Sequence, residues 1–504
     1  MELMENNLPA LIVVLPLLAA LLAPFLGQGN KSWILATLTT WAVLAMTIRL
    51  FIQIDGLANA QGVHETFISY AMGNWKVPWG IEYRVDPFNA FILIIIAMIS
   101  AMVTYYARLS VSKEIPVDKI RFFYALWLLF ITGLLGVTIT GDVFNIYVLL
   151  EVSSLAAYAL VAMGKYHSRK ALSASINYLV LGTIGASFFL LGVGYLYSVT
   201  GTLNMADLTE RLKGLHDNRT VITAFVFLLI GLSVKMAFFP LHGWLPSAHG
   251  YAPPIVSALL SGVTIKVGVY VMIRFLFTIL GVKFIFEELP SAPIFLVFAS
   301  LAILLGSYMA IQQFSLKRML AYSSIAQIGY IVLGFALANE SGLTGSLIHI
   351  FNHALMKSGL FLAAGIVIYQ VGEADLAHLR GLGRKMPFTM AAFTAGGLGL
   401  IGIPLTSGFI SKWYLVMGAI DRGLIILAVV ILLGSLLAMI YVWRVVEVIY
   451  FKSAPDSSSE VKEAPWALVL PTWILIGASL YFGMDSSLPF HMANQAARFL
   501  LGMQ

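Results

Sequence analysis

Along most of its length the chain alternates between apolar runs of about eighteen residues or more and short breaks rich in turn residues or charge. At 1.5 Å of rise per residue, an uncharged run of ~20 residues is what crosses the hydrocarbon core of a bilayer. About fourteen such spans lie near residues 8–27, 33–53, 87–107, 121–139, 142–163, 172–199, 220–239, 254–277, 292–312, 318–338, 343–370, 387–418, 422–450 and 465–484. The pattern predicts an all-α polytopic membrane protein with about fourteen transmembrane helices. The first run has neither a basic segment before it nor a small-residue cleavage site after it, so it reads as a span and not as a signal peptide. An even number of spans puts both termini on one side. Connections after odd-numbered spans hold roughly 15 Lys and Arg, among them Arg108, Lys113, Lys119, Arg121, Lys165, Arg169, Lys170, Arg380, Arg384 and Lys385, against about 8 on the other side. The positive-inside rule then predicts a cell (inner) membrane protein with both termini outside the cytoplasm.

Two of the spans carry punctuation that a plain helix does not have. The seventh runs into "FFPLHGWLPSAHG", and the twelfth is interrupted by "LGLIGIPLTSGFISKW". Pro240 and Pro404 each remove a backbone donor and clash with the preceding turn. Broken backbone at membrane depth is tolerated only where protein or water satisfies it. Breaks at matching places in two halves point to inverted repeats with an ion site at the breaks. The expected organisation is residues 1–110 as helices 1–3, residues 111–280 as a first five-helix repeat (helices 4–8), residues 281–452 as a second (helices 9–13), and residues 453–504 as helix 14 with a short C-terminal tail. Helices 7 and 12 are expected to be discontinuous. Two ordinary proline kinks are the plainer alternative; the shared "PL" and the nearby lysines weigh against it.

Composition narrows the chemistry. The 504 residues are 60% hydrophobic and 11% charged, against about 25% charged in soluble domains, and the mean hydropathy is +0.90. The absence of cysteine excludes cysteine-ligated iron–sulfur clusters, c-type haem attachment and thiol catalysis within the chain. A net charge of +6 is scattered over short loops with no basic arm or patch, so it reads as a topology signal and not as a nucleic-acid footprint. There is no Walker-type or dinucleotide glycine motif and no Cys/His metal spacing. Neither a cofactor nor a metal is expected, and the plentiful Met and aromatic residues read as lipid-facing and packing groups.

What remains is a set of ionisable residues inside the spans. Glu151 lies in the fifth, Lys235 about one turn before the break at Pro240, and Lys266 near the centre of the eighth in "GVTIKVGVYVM". His349, His353 and Lys357 in "HIFNHALMKSG" are four residues apart each time, which puts them on one face of the eleventh span. Lys412 follows the twelfth-span break. Taken singly, each has a bland reading: Lys412 can snorkel to the interface, Glu151 can be a structural partner, and His242 and His249 read as packing residues. Together, one carboxylate and four lysines at membrane depth cost on the order of ten kcal/mol on insertion scales, and such groups mark ion routes. Desolvation loosens a lysine's hold on its proton and a nearby carboxylate restores it, so a Glu151–Lys235 pair that opens and closes would switch Lys235. Lys266, the His349/His353/Lys357 ladder and Lys412 can pass charge onward through ordered water, with histidine apt as an intermediate. Asp142, at the entrance of the fifth span, is expected to stay solvated and to matter less.

These residues together resemble the antiporter-like family: the proton-pumping subunits of respiratory complex I, their counterparts in membrane-bound hydrogenases, and the large subunits of Mrp cation/proton antiporters. The likeness runs from about the third span to the thirteenth, and the combination of Glu151, Lys235 before "FPLHGWLP", Lys266, "HxxxHxxxK" and Lys412 is highly specific. It implies a fourteen-helix fold with two inverted five-helix repeats, Glu151 and Lys235 as input pair, Lys266 as bridge and Lys412 as terminal site. "TGDVFNIYVLLEVSSLAAYALVA" looks most like the D-type subunit of Mrp antiporters, whereas "WLPSAHGYAPPIVSALLSG" is also close to hydrogenase-type relatives. Lys412 stands where M-type complex I subunits carry glutamate, and the chain ends about 20 residues after the last span, without the lateral helix of L-type and Mrp A-type subunits. The expected function is proton translocation in a multisubunit Na⁺/H⁺ (monovalent cation/proton) antiporter of Mrp type. The alternative is a pump module of a redox-driven complex, of the NADH:quinone oxidoreductase or hydrogenase kind, without a redox centre of its own. Expected partners are other membrane subunits of such an assembly, the lipid bilayer and protons. Any Na⁺ route is expected to lie outside this chain, whose buried groups are mostly basic.

Overall fold

A computed structural model describes residues 7–27, 30–164, 169–215, 217–453 and 461–503; Lys165, one of the basic loop residues above, lies outside them. The long helices are α1 (Leu8–Leu22), α2 (Lys31–Gln61), α3 (Pro87–Glu114), α4 (Ile120–Ile139), α5 (Val143–Ala162) and α6 (Arg169–Thr200). A short α7 (Met205–Leu212) precedes α8 (Arg219–Lys235) and α9 (Leu245–Tyr251). Then come α10 (Pro254–Ile279), α11 (Ser291–Ile311), α12 (Leu316–Ala336) and α13 (Glu340–Val371). The chain continues through α14 (Pro387–Ile401), α15 (Ser407–Asp421), α16 (Ile425–Phe451), α17 (Trp466–Met484) and α18 (Ser487–Leu501). Twelve helices among the described residues are long and apolar enough to cross a membrane: α1 to α6, α10 to α13, α16 and α17. The seventh and twelfth predicted spans fall outside that set because each is two pieces, α8 with α9 and α14 with α15.

Burial sorts the bundle into centre and rim. In the most apolar stretches of α10 and α12, 94% of the residues are buried, against 39% in α11 and α16. A helix buried on every side belongs at the core of a bundle, and one buried on a single stripe belongs at the lipid or subunit boundary. Lys266 on α10 and Lys357 on α13 therefore sit on central helices, while Glu151 sits on α5, where 50% of the most apolar stretch is buried. Small residues let those helices approach closely: a Cβ added to Gly231 of α8 would lie 2.6 Å from the carbonyl oxygen of Gly185 on α6.

Three features were not legible as apolar runs. An antiparallel hairpin, β1 (Ile68–Ala71) with β2 (Glu82–Val85), covers one end of the bundle in the register Ile68↔Val85 to Ala71↔Glu82. Helix α10 changes pitch twice, with π-type turns at Leu260–Thr264 and Arg274–Ile279 around a regular stretch Ile265–Ile273. The segment expected as a short tail is the helix α18, where Asn494 donates to Glu340 Oε1 at 3.0 Å and Gln495 to Asp55 Oδ1 at 3.0 Å.

Candidate functional site

Both predicted breaks are present, and each is held open by its own strained backbone. Between α8 and α9, Ala237 takes a left-handed φ of 53°, and the Phe239–Pro240 peptide is cis. Between α14 and α15, Leu405 does the same at φ 72°, beside Gly402 at φ 84°. A non-glycine residue in this region costs on the order of 1–3 kcal/mol and persists only where its surroundings over-determine it. Side chains answer the carbonyls that the breaks set free. Trp244 Nε1 donates to Val234 O at 2.9 Å across the first break. Lys412 Nζ donates to Leu400 O and Ile401 O, both at 3.0 Å, across the second. The two arms of the second break pack so closely that a Cβ on Gly408 would lie 1.9 Å from Gly399 O.

At the first break α8 delivers Lys235 to α5. Its Nζ donates to Glu151 Oε1 at 2.8 Å and to Ser154 Oγ at 3.0 Å, with side chains 8% exposed for Lys235 and 20% for Glu151. The expected input pair is thus a closed ion pair. The break also touches α10, because a Cβ on Gly268 would stand 3.0 Å from Met236 N.

The central groups lie on α10, α12 and α13. Lys266 donates to Ser261 O, one turn back on its own helix, and Ser261 Oγ lies 2.9 Å from Ser324 Oγ on α12. Lys357 donates to Leu320 O at 2.7 Å and to Ser323 Oγ. His349 bonds Gln327 Oε1 through Nε2 and Ser411 Oγ through Nδ1, each at 2.8 Å, which ties α13 to α12 and α15. The His353 ring lies nearly parallel to it with centroids 6.0 Å apart. Both His353 ring nitrogens are buried with no partner among the described residues. Lys412, next to Ser411, is 6% exposed; its head turns inward to the broken helix, to Ser435 Oγ at 2.9 Å and to the ring face of Tyr330 at 4.6 Å. Snorkelling is not what it does. Among the described residues no direct hydrogen bond joins Lys235 to Lys266, or Lys266 to Lys357. The groups form separate hydrogen-bonded clusters and not a continuous wire.

The sequence reading missed some buried polar groups and misjudged one. Arg274 of α10 and Asp86 at the start of α3 form an ion pair of 2.8 Å with side chains 4% and 3% exposed. Its signals are in the sequence but are local ones: Arg274 falls two four-residue steps after Lys266, and "DPFN" at residues 86–89 is a capping box. His249, set aside as packing, is fully buried, with no partner for either ring nitrogen among the described residues and its ring stacked 4.7 Å from Phe361 of α13. Asp142 is buried and not solvated: it caps α5, accepting from Asn145 N at 2.7 Å.

The family model described as NADH:quinone oxidoreductase/Mrp antiporter, TM, matches residues 140–438, a stretch that holds all seven in-span candidates. The N subunit of NADH-quinone oxidoreductase from Desulforudis audaxviator is 41% identical over 493 residues, 94% of each chain. The D subunit of the Na(+)/H(+) antiporter from Alkalihalophilus pseudofirmus is 29% identical over 501 residues, covering 98% of this chain and 97% of the other. Among solved structures, a chain of the membrane-bound sulfane sulfur reductase, an archaeal respiratory membrane complex, superposes with a TM-score of 0.87 at 29% identity, over 98% of this chain and 97% of that one. A chain of the Mrp complex from Dietzia sp. DQ12-45-1b gives 0.85 at 26% identity, over 99% and 98%.

Proposed function

Because the chain belongs to the NADH:quinone oxidoreductase/Mrp antiporter transmembrane family, we propose that it moves protons within a multisubunit complex of a cell membrane. In this reading Glu151 and Lys235 form the input pair, Lys266 the bridge, His349, His353 and Lys357 the ladder, and Lys412 the terminal site. The observation that carries it is the Glu151–Lys235 bond of 2.8 Å at the end of a broken helix. A carboxylate at that distance stabilises the ammonium, and its withdrawal leaves a desolvated cation that is relieved by giving up its proton. The unpartnered nitrogens of His353 suit a group that exchanges protons through water, since buried polar atoms of this kind are the usual partners of internal water.

Two inverted five-helix repeats, 111–280 and 281–452, are part of the same proposal. The break in each, with a left-handed non-glycine residue within three positions of a proline, supports it. The orientation with both termini outside the cytoplasm, read from the basic loops, belongs to the same proposal.

The driving reaction has two candidates. An Mrp-type cation/proton antiporter accounts for the likeness to D-type subunits. A redox-driven complex is favoured by one observation, the 41% identity to an N-type subunit against 29% to a D-type one. The discriminating experiment reconstitutes the intact complex in vesicles and follows internal pH. Proton movement driven by an imposed Na⁺ gradient supports the first, and movement driven by an electron donor such as NADH supports the second. A complex that moves protons under neither condition overturns the proposal.

A further inference from the structure

The Asp86–Arg274 pair has no part in the relay described above, and its surroundings assign it one. A cavity of about 460 Å³ is bounded by Asp86, Thr140, Tyr270, Arg274, Phe277 and Leu501. A second, of about 890 Å³, is bounded by Glu114, Pro254 and Lys317 among others. Asp86 and Glu114 are at opposite ends of α3, and Pro254 and Arg274 near opposite ends of α10. The two cavities therefore open at opposite ends of the same two helices, and the first lies on the face away from the basic loops.

From the first cavity, α10 leads straight to the relay. Lys266, Tyr270 and Arg274 are four residues apart each time and share one face, with roughly 12 Å of rise between Lys266 and Arg274. Every group along that path is committed. Arg274 Nη1 donates to Asp86 Oδ2 at 2.8 Å and Nη2 to Oδ1 at 3.0 Å. Asp86 Oδ1 also accepts from Phe88 N and Asn89 N, each at 3.0 Å. The carboxylate thus accepts four hydrogen bonds, and the guanidinium does not lose its proton in proteins. The Tyr270 hydroxyl donates to Thr138 O at 2.8 Å and accepts from Arg274 Nη2 at 3.3 Å.

We propose that the Asp86–Arg274 pair is a seal that keeps protons of the outer cavity from reaching Lys266. A fixed guanidinium repels hydronium, as an arginine does in channels that pass water and exclude protons. Its carboxylate partner, filled by four donors, holds it in place. The pair sets a guanidinium, which does not trade its proton, at the point where a leak would short-circuit the relay. This rests on the proton-relay reading.

The test is passive proton entry into vesicles holding the intact complex, measured after an acid pulse with no Na⁺ gradient and no electron donor. The double variant Asp86→Asn/Arg274→Met keeps an oxygen to cap α3 and removes both charges together, a change buried pairs often tolerate. It should admit protons at least tenfold faster than the parent, and adding Lys266→Met should return the rate to the parental value. Tyr270→Phe should stay near the parental rate. The seal is overturned if the double variant assembles normally without leaking, if its leak survives Lys266→Met, or if Tyr270→Phe alone leaks. That last variant keeps the ion pair intact and is informative even where the double variant fails to assemble. Failure of the relay reading has a separate signature: Lys266→Met alone would leave driven transport intact.

Discussion

Replacing Glu151 with glutamine keeps the side-chain volume and removes the charge that faces Lys235. At 2.8 Å and an effective dielectric of about 20, the Coulomb attraction lost is ~6 kcal/mol. Desolvation of both ions offsets much of this, and deleting one partner of a buried pair costs ~3–5 kcal/mol. Glu151 is about a fifth exposed, which puts the cost at the lower end. Lys235 can also shed its proton and keep its bond to Ser154 Oγ, which caps the structural loss further. We expect the complex to assemble with its midpoint of thermal unfolding lowered by only a few degrees. Transport should suffer more, because the variant can no longer recharge Lys235 by closing the pair. If ~3 kcal/mol of that interaction is used in the proton-transfer step, the rate falls ~100-fold. The assay is the rate of pH change in vesicles at equal amounts of complex, together with the double variant Glu151→Gln/Lys235→Met. The double variant should regain stability and remain inactive. Transport by Glu151→Gln within twofold of the parent, or recovery of transport in the double variant, would refute the switching role.

Two further outcomes are expected. Lys266→His should retain more proton transport than Lys266→Arg, since imidazole exchanges its proton near neutral pH and guanidinium does not; the reverse order would make Lys266 a fixed counter-charge. Lys412→Met should strip the donor from Leu400 O and Ile401 O, at ~1–3 kcal/mol per unsatisfied group, and so lower the unfolding temperature as well as transport. Lys412→Arg should recover the stability and not the transport, and recovery of both would show that the terminal site needs only a cation.

The spans were legible because apolar length is a direct consequence of bilayer thickness. The two breaks were legible because proline and glycine act on the backbone locally. Glu151, Lys235 and Lys266 stood out because nothing else explains a charge there, and the ladder because helical periodicity fixes which residues share a face. What escaped has a common physical cause. Asp86 and Arg274 are 188 residues apart, and each has an adequate local explanation, one as a helix cap and the other as a basic residue near a span's end. His249 looked ordinary because burial of a loop-proximal histidine depends on what packs over it, here Phe361. Asp142 was read as solvated because its position at a helix entrance does not reveal that the neighbouring chain covers it. Helix α18 alternates polar and apolar residues and never forms an apolar run, so a hydropathy criterion passes over it.

That last helix has a mechanical consequence. Through Gln495 and His491 it holds Asp55 of α2, the latter at 2.9 Å, and through Asn494 it holds Glu340 at the start of α13. It therefore works as a clasp between an early helix of the chain and the central helix that carries the histidine ladder. A clasped face resists the spreading of its helices at that end of the bundle. Cutting the clasp should thus loosen the protein on one side only, like a hinge pin drawn from a door that still has its latch.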